Sequence, residues 1–178
     1  MSYTPSHAGG LLAQPESLVF CPMTQGTSQI PSVNTKIQLD AAQTQFGTWS
    51  VSITNDVITL PSGYFYLIES SVQALYTTSA VASDYYKHQI YDETNGAYVG
   101  TEAKLMKAAG EDSALDTKDE KARYYVDCSS ISLDISIKTT DKSAAFDRIN
   151  YTVGVDGPGY LWTWHTGSGR VIIWRLSP

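Results

Sequence analysis

The sequence predicts an all-β protein, an antiparallel β-sandwich of eight to ten strands with jelly-roll connectivity. Short alternating or aromatic-rich segments recur along the chain and are separated by turn residues at intervals of about 8–12 residues. No helical pattern alternates with them, so a parallel sheet is not indicated. A length of 178 residues with 42% hydrophobic residues is enough for one domain with a substantial core.

The N-terminal 32 residues predict an extended arm, and residues 33–178 predict the sandwich domain. The arm carries almost no charge, several prolines and glycines, and no alternation. It is interpreted either as a disordered leader or as an anchor that adds to a sheet edge on a partner. The apolar side chains of the hypothetical anchor are Tyr3, Leu11, Leu12, Val19 and Phe20.

A hairpin is predicted just after the arm. Residues 49–54 alternate strictly between apolar and polar side chains, which is typical of a half-buried strand. Asn55 and Asp56 follow, and both residue types tolerate positive φ, so they favour a two-residue turn into a strand over residues 57–60.

The strongest β signal in the chain is the central strand, predicted as one long strand over residues 63–76. Its first half is apolar on both faces, with Tyr64, Tyr66 and Ile68 on one face and Phe65 and Leu67 on the other. Such a strand is covered on both sides. The second cover is either another sheet of the same domain or a neighbouring subunit, and the sequence leaves both alternatives open.

Residues 85–91 and 97–100 predict the next two strands, around a turn at residues 92–96. Residues 101–123 differ from the rest because they contain six acidic and five basic residues. This mixture favours a short solvated helix or an excursion away from the sandwich.

The β pattern resumes in the last third of the chain. Residues 131–138 alternate most clearly, and four branched aliphatic side chains are predicted to point inward: Ile131, Leu133, Ile135 and Ile137. A strand over residues 148–153 and a final hairpin of residues 160–165 and 170–176 complete the prediction.

Parts of this pattern resemble a known family. The strand start Gly63-Tyr-Phe-Tyr-Leu67, the preceding hairpin between Trp49 and Pro61, and the terminal strand Val171-Ile-Ile-Trp-Arg-Leu176 resemble the jelly-roll domains of tumour necrosis factor and complement globular heads. The stretch Gln89-Ile-Tyr-Asp-Glu-Thr-Asn-Gly-Ala-Tyr98 resembles domains of this type in bacteriophage virion proteins. The resemblance covers roughly residues 33–178.

The resemblance implies a homotrimer in which central strands meet at a three-fold axis. The residues expected at that interface are Tyr64, Tyr66, Ile68 and Trp174. It also implies a non-enzymatic capsid decoration or head-fibre protein that binds the major capsid protein or another virion protein through its arm. The chain has no basic segment followed by an apolar run at its start, so no signal peptide is expected. Synthesis in the host cytoplasm and localisation in the virion are therefore expected.

Composition excludes several other classes. The formal net charge of −6 at pH 7 argues against nucleic acid or an anionic membrane as the partner, because both require a basic surface. No apolar run is long enough to span a membrane. Cys21 and Cys128 are too few and too distant for a disulfide framework, so free thiols are expected.

No arrangement of residues predicts an enzyme or a cofactor. The stretch Gly167-Ser-Gly169 joins two predicted strands and lacks the spacing of a nucleophile elbow. The three histidines, His7, His88 and His165, are scattered, although His88 could approach Asp84 or Asp92. In the turn that holds Asp92, Glu93 and Asn95, solvated side chains are favoured over a cation site, because the spacing is not that of a calcium loop.

The alternative function is a receptor- or glycan-binding module of a phage tail or fibre. Trp162 and Trp164 lie on one face of their predicted strand, and exposed indole rings stack on sugars. The competing interpretation of these residues is a core or a subunit interface.

Overall fold

Strands are the only regular secondary structure in the part of the chain that the structure describes. The structure is a computed structural model and describes residues 15–22, 29–47, 49–72, 74–76, 80–107, 120–149 and 169–176. The strands are β1 (Pro15–Pro22), β2 (Gln43–Phe46), β3 (Ser52–Thr54), β4 (Val57–Leu60), β5 (Tyr64–Ser71), β6 (Ala74–Tyr76), β7 (Tyr85–Asp92), β8 (Ala97–Met106), β9 (Ala122–Cys128), β10 (Leu133–Lys142), β11 (Phe146–Ile149) and β12 (Arg170–Leu176).

Two five-stranded sheets pack face to face. The first sheet has the order β2-β1-β12-β5-β9 and the second the order β3-β4-β10-β7-β8, while β11 and β6 form a separate two-stranded sheet. Every pairing between neighbouring strands is antiparallel. The predicted all-β antiparallel sandwich is therefore confirmed.

The main pairings are nested along the chain. Apart from the short strands β2 and β3 and the separate sheet, eight strands remain. The first of them, β1, pairs with the last, β12, and β4 pairs with β10. Further inward, β5 pairs with β9 and β7 with β8.

The core lies between the two sheets. Strand β7 shows how the sequence fills it, because its residues alternate between partly buried and buried along its whole length. The largest fully buried side chains are aliphatic apart from two tyrosines: Tyr66, Tyr86, Ile37, Ile58, Leu60, Ile68, Ile90, Leu105, Ile135 and Ile137. Each contributes about 1.5–3 kcal/mol through removal of apolar surface from water.

The turn between β3 and β4 is the predicted hairpin. Asn55 has φ 51° and Asp56 has φ 62°, and Thr54 pairs with Val57 across the turn. The Asp56 carboxylate also accepts a hydrogen bond of 2.9 Å from the backbone N–H of Leu39. The second turn residue therefore ties the hairpin to the segment that precedes it.

Strand β1 corrects the predicted boundary between arm and domain. It lies inside the first sheet, between β2 and β12, and its Val19 and Cys21 side chains are fully buried. Prolines at both ends and the uninterrupted run Leu18-Val-Phe20 obscured its alternation. Of the hypothetical anchor residues, Val19 and Phe20 belong to this strand, whereas Tyr3, Leu11 and Leu12 lie outside the described residues.

The charged segment is extended wherever the structure describes it. Strand β8 continues to Met106 and β9 begins at Ala122, so the helix prediction is wrong for these ends of residues 101–123. The middle, residues 108–119, lies outside the described residues. The physical reason is the alternation in β8, where Ala103 and Leu105 are buried and their charged neighbours are exposed.

Two further boundaries differ from the predictions. The central strand ends at Ser71, and the following β6 leaves for the two-stranded sheet. Ile131 was predicted to point inward but is 61% exposed, because β10 begins only at Leu133. The predicted hairpin partner of residues 170–176, residues 160–165, lies outside the described part of the chain.

One side of the sandwich is closed by a close approach of β8 to β9. Gly100 has φ 69°, and a Cβ atom at this position would lie 2.0 Å from the carbonyl oxygen of Arg123. The backbone N–H of Arg123 donates a hydrogen bond of 3.0 Å to the Thr101 hydroxyl. Only a glycine allows the two backbones to come this close.

Candidate interaction surface

The outer face of the second sheet is polar and carries several ion pairs. Lys87 lies 3.4 Å from Glu102 and 3.7 Å from Asp141. Further along the face, the Lys138 ammonium lies 3.1 Å from the Glu93 carboxylate. A sheet face that carries such ion pairs is typical of a surface in contact with water.

The outer face of the first sheet is apolar. It is defined here as the outer apolar face and consists of Leu18, Phe65, Leu67, Tyr125, Ile172, Trp174 and Leu176. These residues point away from the core because their neighbours along each strand, such as Ile68 and Ile173, are fully buried between the sheets. The first sheet is thus apolar on both sides.

The strand register brings these side chains together. Leu67 lies opposite Trp174 on β12 and opposite Tyr125 on β9. The rings of Phe65 and Tyr125 stack, with centroids 6.2 Å apart and an interplanar angle of 9°. Tyr125 remains 56% exposed. Cross-strand contacts of this kind hold the side chains in a fixed arrangement.

A charged cluster borders the outer apolar face. The Glu69 carboxylate accepts a hydrogen bond of 2.7 Å from Arg123 Nε and lies 3.6 Å from the Lys121 ammonium. Asp127, opposite Phe65, is exposed. An apolar centre with a charged border is the usual composition of a protein–protein interface.

Two of the four residues expected at a trimer axis lie in the core instead. Tyr66 and Ile68 are 0% exposed within a single chain. The Tyr66 hydroxyl donates a hydrogen bond of 2.9 Å to the Pro61 carbonyl, and its ring stacks on Trp49 at 5.4 Å. Their side chains are therefore not available to a neighbouring subunit, and this part of the expectation is corrected.

The other two expected residues have different surroundings. Tyr64 is half-buried on the core side of β5, where the Arg175 guanidinium lies 4.3 Å from its ring centroid. Trp174 belongs to the outer apolar face. The sequence showed two apolar faces on β5 but did not indicate which one looks inward, so the outward pair Phe65 and Leu67 was missed.

Within the described ranges, no acidic side chain hydrogen-bonds to His88 as a catalytic base would need. It is fully buried, and its Nε2 atom lies 3.1 Å from the Ser70 carbonyl. Asp84 accepts a hydrogen bond from the Val81 N–H at 2.7 Å. Asp92 accepts two from Asn95. Neither acid hydrogen-bonds to the imidazole.

The acidic turn is organised by internal bonds. The Asp92 carboxylate oxygens accept hydrogen bonds from the Asn95 N–H at 2.8 Å and from the Asn95 side-chain amide at 2.7 Å, and these bonds shape the turn. The sequence predicted a solvated side chain at this position, but the Asp92 carboxylate is buried. Glu93 accepts a hydrogen bond of 2.7 Å from Ser136. Hydrogen bonds and nearby lysines lower the pKa of Glu93, although its partial burial acts in the opposite direction. Within the described ranges, no three His, Cys, Asp or Glu side chains form a group that could hold a metal ion.

Both cysteine thiols are free, as predicted, and both are buried. Burial raises the pKa of Cys21 to about 12 and that of Cys128 to about 11. Trp162 and Trp164, the predicted sugar-stacking residues, lie outside the described residues.

Comparisons with known proteins do not assign the chain to a family: no protein-family model matches it, and no curated protein is significantly similar to it in sequence. None of the segments that the structure describes forms a helix long and apolar enough to cross a membrane.

Proposed function

We propose that the chain is a non-enzymatic structural protein of a bacteriophage particle, a homotrimer that associates through its outer apolar face. The observation that carries this proposal is the chemical difference between the two outer sheet faces. The second sheet presents paired charges such as Lys87 and Glu102, whereas the first presents Phe65, Leu67 and Trp174. Covering half-buried apolar side chains contributes about 1 kcal/mol for each side chain.

The proposed architecture is a jelly roll. A jelly roll is a long antiparallel ribbon rolled into two sheets. Its first strand therefore pairs with its last, its second with its second-to-last, and so on toward the middle of the chain. The nested pairing of β1 with β12, β4 with β10, β5 with β9 and β7 with β8 supports this connectivity. The resemblance to the trimeric jelly-roll domains of virion proteins supports a homotrimer and a location in the virion.

The proposed attachment to the shell is confined to the residues before β1. Residues 15–22 are part of the first sheet, so the proposed anchor to the major capsid protein or another virion protein is the preceding segment, with Tyr3, Leu11 and Leu12. A short extended segment binds by adding to a sheet edge of its partner.

The test measures the native mass by light scattering. It compares the wild-type chain with a variant that carries an added charge at the centre of the outer apolar face. The purified chain should have about three times its own mass of 19.5 kDa. Leu67→Glu should give a folded monomer, because it places an unpaired charge in a dry interface. Ser52→Glu adds the same charge at an exposed position of the second sheet and should stay trimeric.

A monomeric wild-type chain would refute the proposed assembly, as would a trimeric Leu67→Glu variant with normal stability. Attachment is tested with the same preparations. A chain that lacks residues 1–14 should remain a trimer but no longer sediment with capsid shells. Undiminished sedimentation would refute the anchor.

A further inference from the structure

A histidine joins the two sheets inside the core. His88 on β7 is 0% exposed and faces Ser70 on β5 of the first sheet. Its Nε2 atom lies 3.1 Å from the Ser70 carbonyl oxygen. A carbonyl oxygen can only accept a hydrogen bond, so Nε2 must carry the ring proton and donate it. In the neutral ring, Nδ1 is then a hydrogen-bond acceptor.

The described part of the chain leaves the second ring nitrogen of His88 without a hydrogen-bond partner. Within the described residues, neither His88 Nδ1 nor the Ser70 hydroxyl has a hydrogen-bond partner, and both atoms are buried. A protonated imidazole would have to donate from Nδ1 as well. A buried donor without an acceptor carries a free-energy cost, and a buried charge carries a larger one.

The surrounding elements supply little compensating charge. Among the described residues, Glu102 on β8 is the one charged group whose field acts on His88 appreciably, and its carboxylate lies 3.4 Å from the Lys87 ammonium. From β10, the Thr139 hydroxyl faces His88 but is bonded to the Tyr86 hydroxyl at 2.8 Å. The residues paired with Ser70 on β9 and β12, Ala122 and Val171, are apolar.

We propose that His88 makes the contact between the two sheets acid-sensitive: the neutral ring fits this site, whereas protonation would bury a positive charge and an Nδ1–H donor without an acceptor. Burial lowers the pKa of His88 from 6.5 to about 4. The unfolded chain therefore takes up a proton at a higher pH than the folded chain does. The stabilisation is complete above pH 6.5 and is lost as the pH falls toward 4. Mild acid thus loosens the sandwich before most carboxylates titrate.

The test compares the wild-type chain with His88→Gln, in which the side-chain amide keeps a donor but does not titrate. Urea unfolding is measured for both at pH 7.5 and pH 5.0, at one protein concentration. The wild-type folding equilibrium constant should fall about 30-fold more than that of the variant, which follows from the two pKa values. Other titrating groups, including His7 and His165, are shared by both chains and cancel.

If the folding equilibrium constant fell by the same factor in the wild-type chain and in His88→Gln between pH 7.5 and pH 5.0, the proposal would be overturned. Nitrogen-15 NMR of the wild-type imidazoles provides a second test that does not depend on the variant folding. A neutral His88 ring with its proton on Nε2 at pH 5.5 is the expected result, and an imidazolium at that pH would overturn the proposal.

Discussion

Replacing Gly100 by alanine should separate β8 from β9. The added Cβ would lie 2.0 Å from the Arg123 carbonyl oxygen, 2.9 Å from its carbon and 3.0 Å from the Tyr124 Cβ. Normal contact requires the two strands to move apart by about 1 Å, and overpacking of this kind costs about 1–3 kcal/mol. The positive φ of 69° adds about 1 kcal/mol. Loss of the bond from the Arg123 N–H to Thr101 adds about 1 kcal/mol.

Gly96 provides a matched control for the backbone cost. Its φ is 71°, almost the same as that of Gly100, but the nearest atom to an added Cβ is the Tyr91 hydroxyl oxygen at 3.8 Å. Gly96→Ala should therefore cost only the conformational term, about 1 kcal/mol. Gly100→Ala should cost about 3–5 kcal/mol in the free energy of unfolding, measured by urea titration. Equal losses for the two variants would show that β8 and β9 are not in close backbone contact.

Two further predictions concern the core. Tyr66→Phe removes the hydrogen bond to the Pro61 carbonyl and should lower the free energy of unfolding by about 1 kcal/mol. The native mass should not change, and a change in mass by light scattering would contradict the core position of this ring. Cys21 and Cys128 are buried and their pKa values are raised, so both thiols should be unreactive toward a disulfide reagent at pH 8 until urea unfolds the chain. Rapid labelling of the native protein would contradict their burial.

Local chemistry made several elements predictable from the sequence. Asn55 and Asp56 tolerate positive φ, and both adopt it in the turn between β3 and β4. Leu133, Ile135 and Ile137 alternate with polar side chains, and all three are buried in β10. In each case the information lies within a few neighbouring residues, which is the range over which alternation and turn preferences act.

Features that depend on distant parts of the chain were not predictable in the same way. Phe65 and Tyr66 are both aromatic, and only the packing of the second sheet decides that Tyr66 faces the core and Phe65 the outer apolar face. Val19 is buried because β12 lies beside it, and that partner is about 150 residues away in sequence. The candidate interaction surface combines β1, β5, β9 and β12, so no single segment reveals it.

The pairing of β1 with β12 sets the order in which the protein can be completed during synthesis. Residues 15–22 leave the ribosome long before residues 170–176, the strand that pairs with them in the first sheet. Until those residues emerge, β1 and β5 both lack the strand that lies between them. Until residues 170–176 emerge, the nascent chain therefore carries unpaired edges and an incomplete core, a state in which chains aggregate. Contacts so distant in sequence also make folding slow.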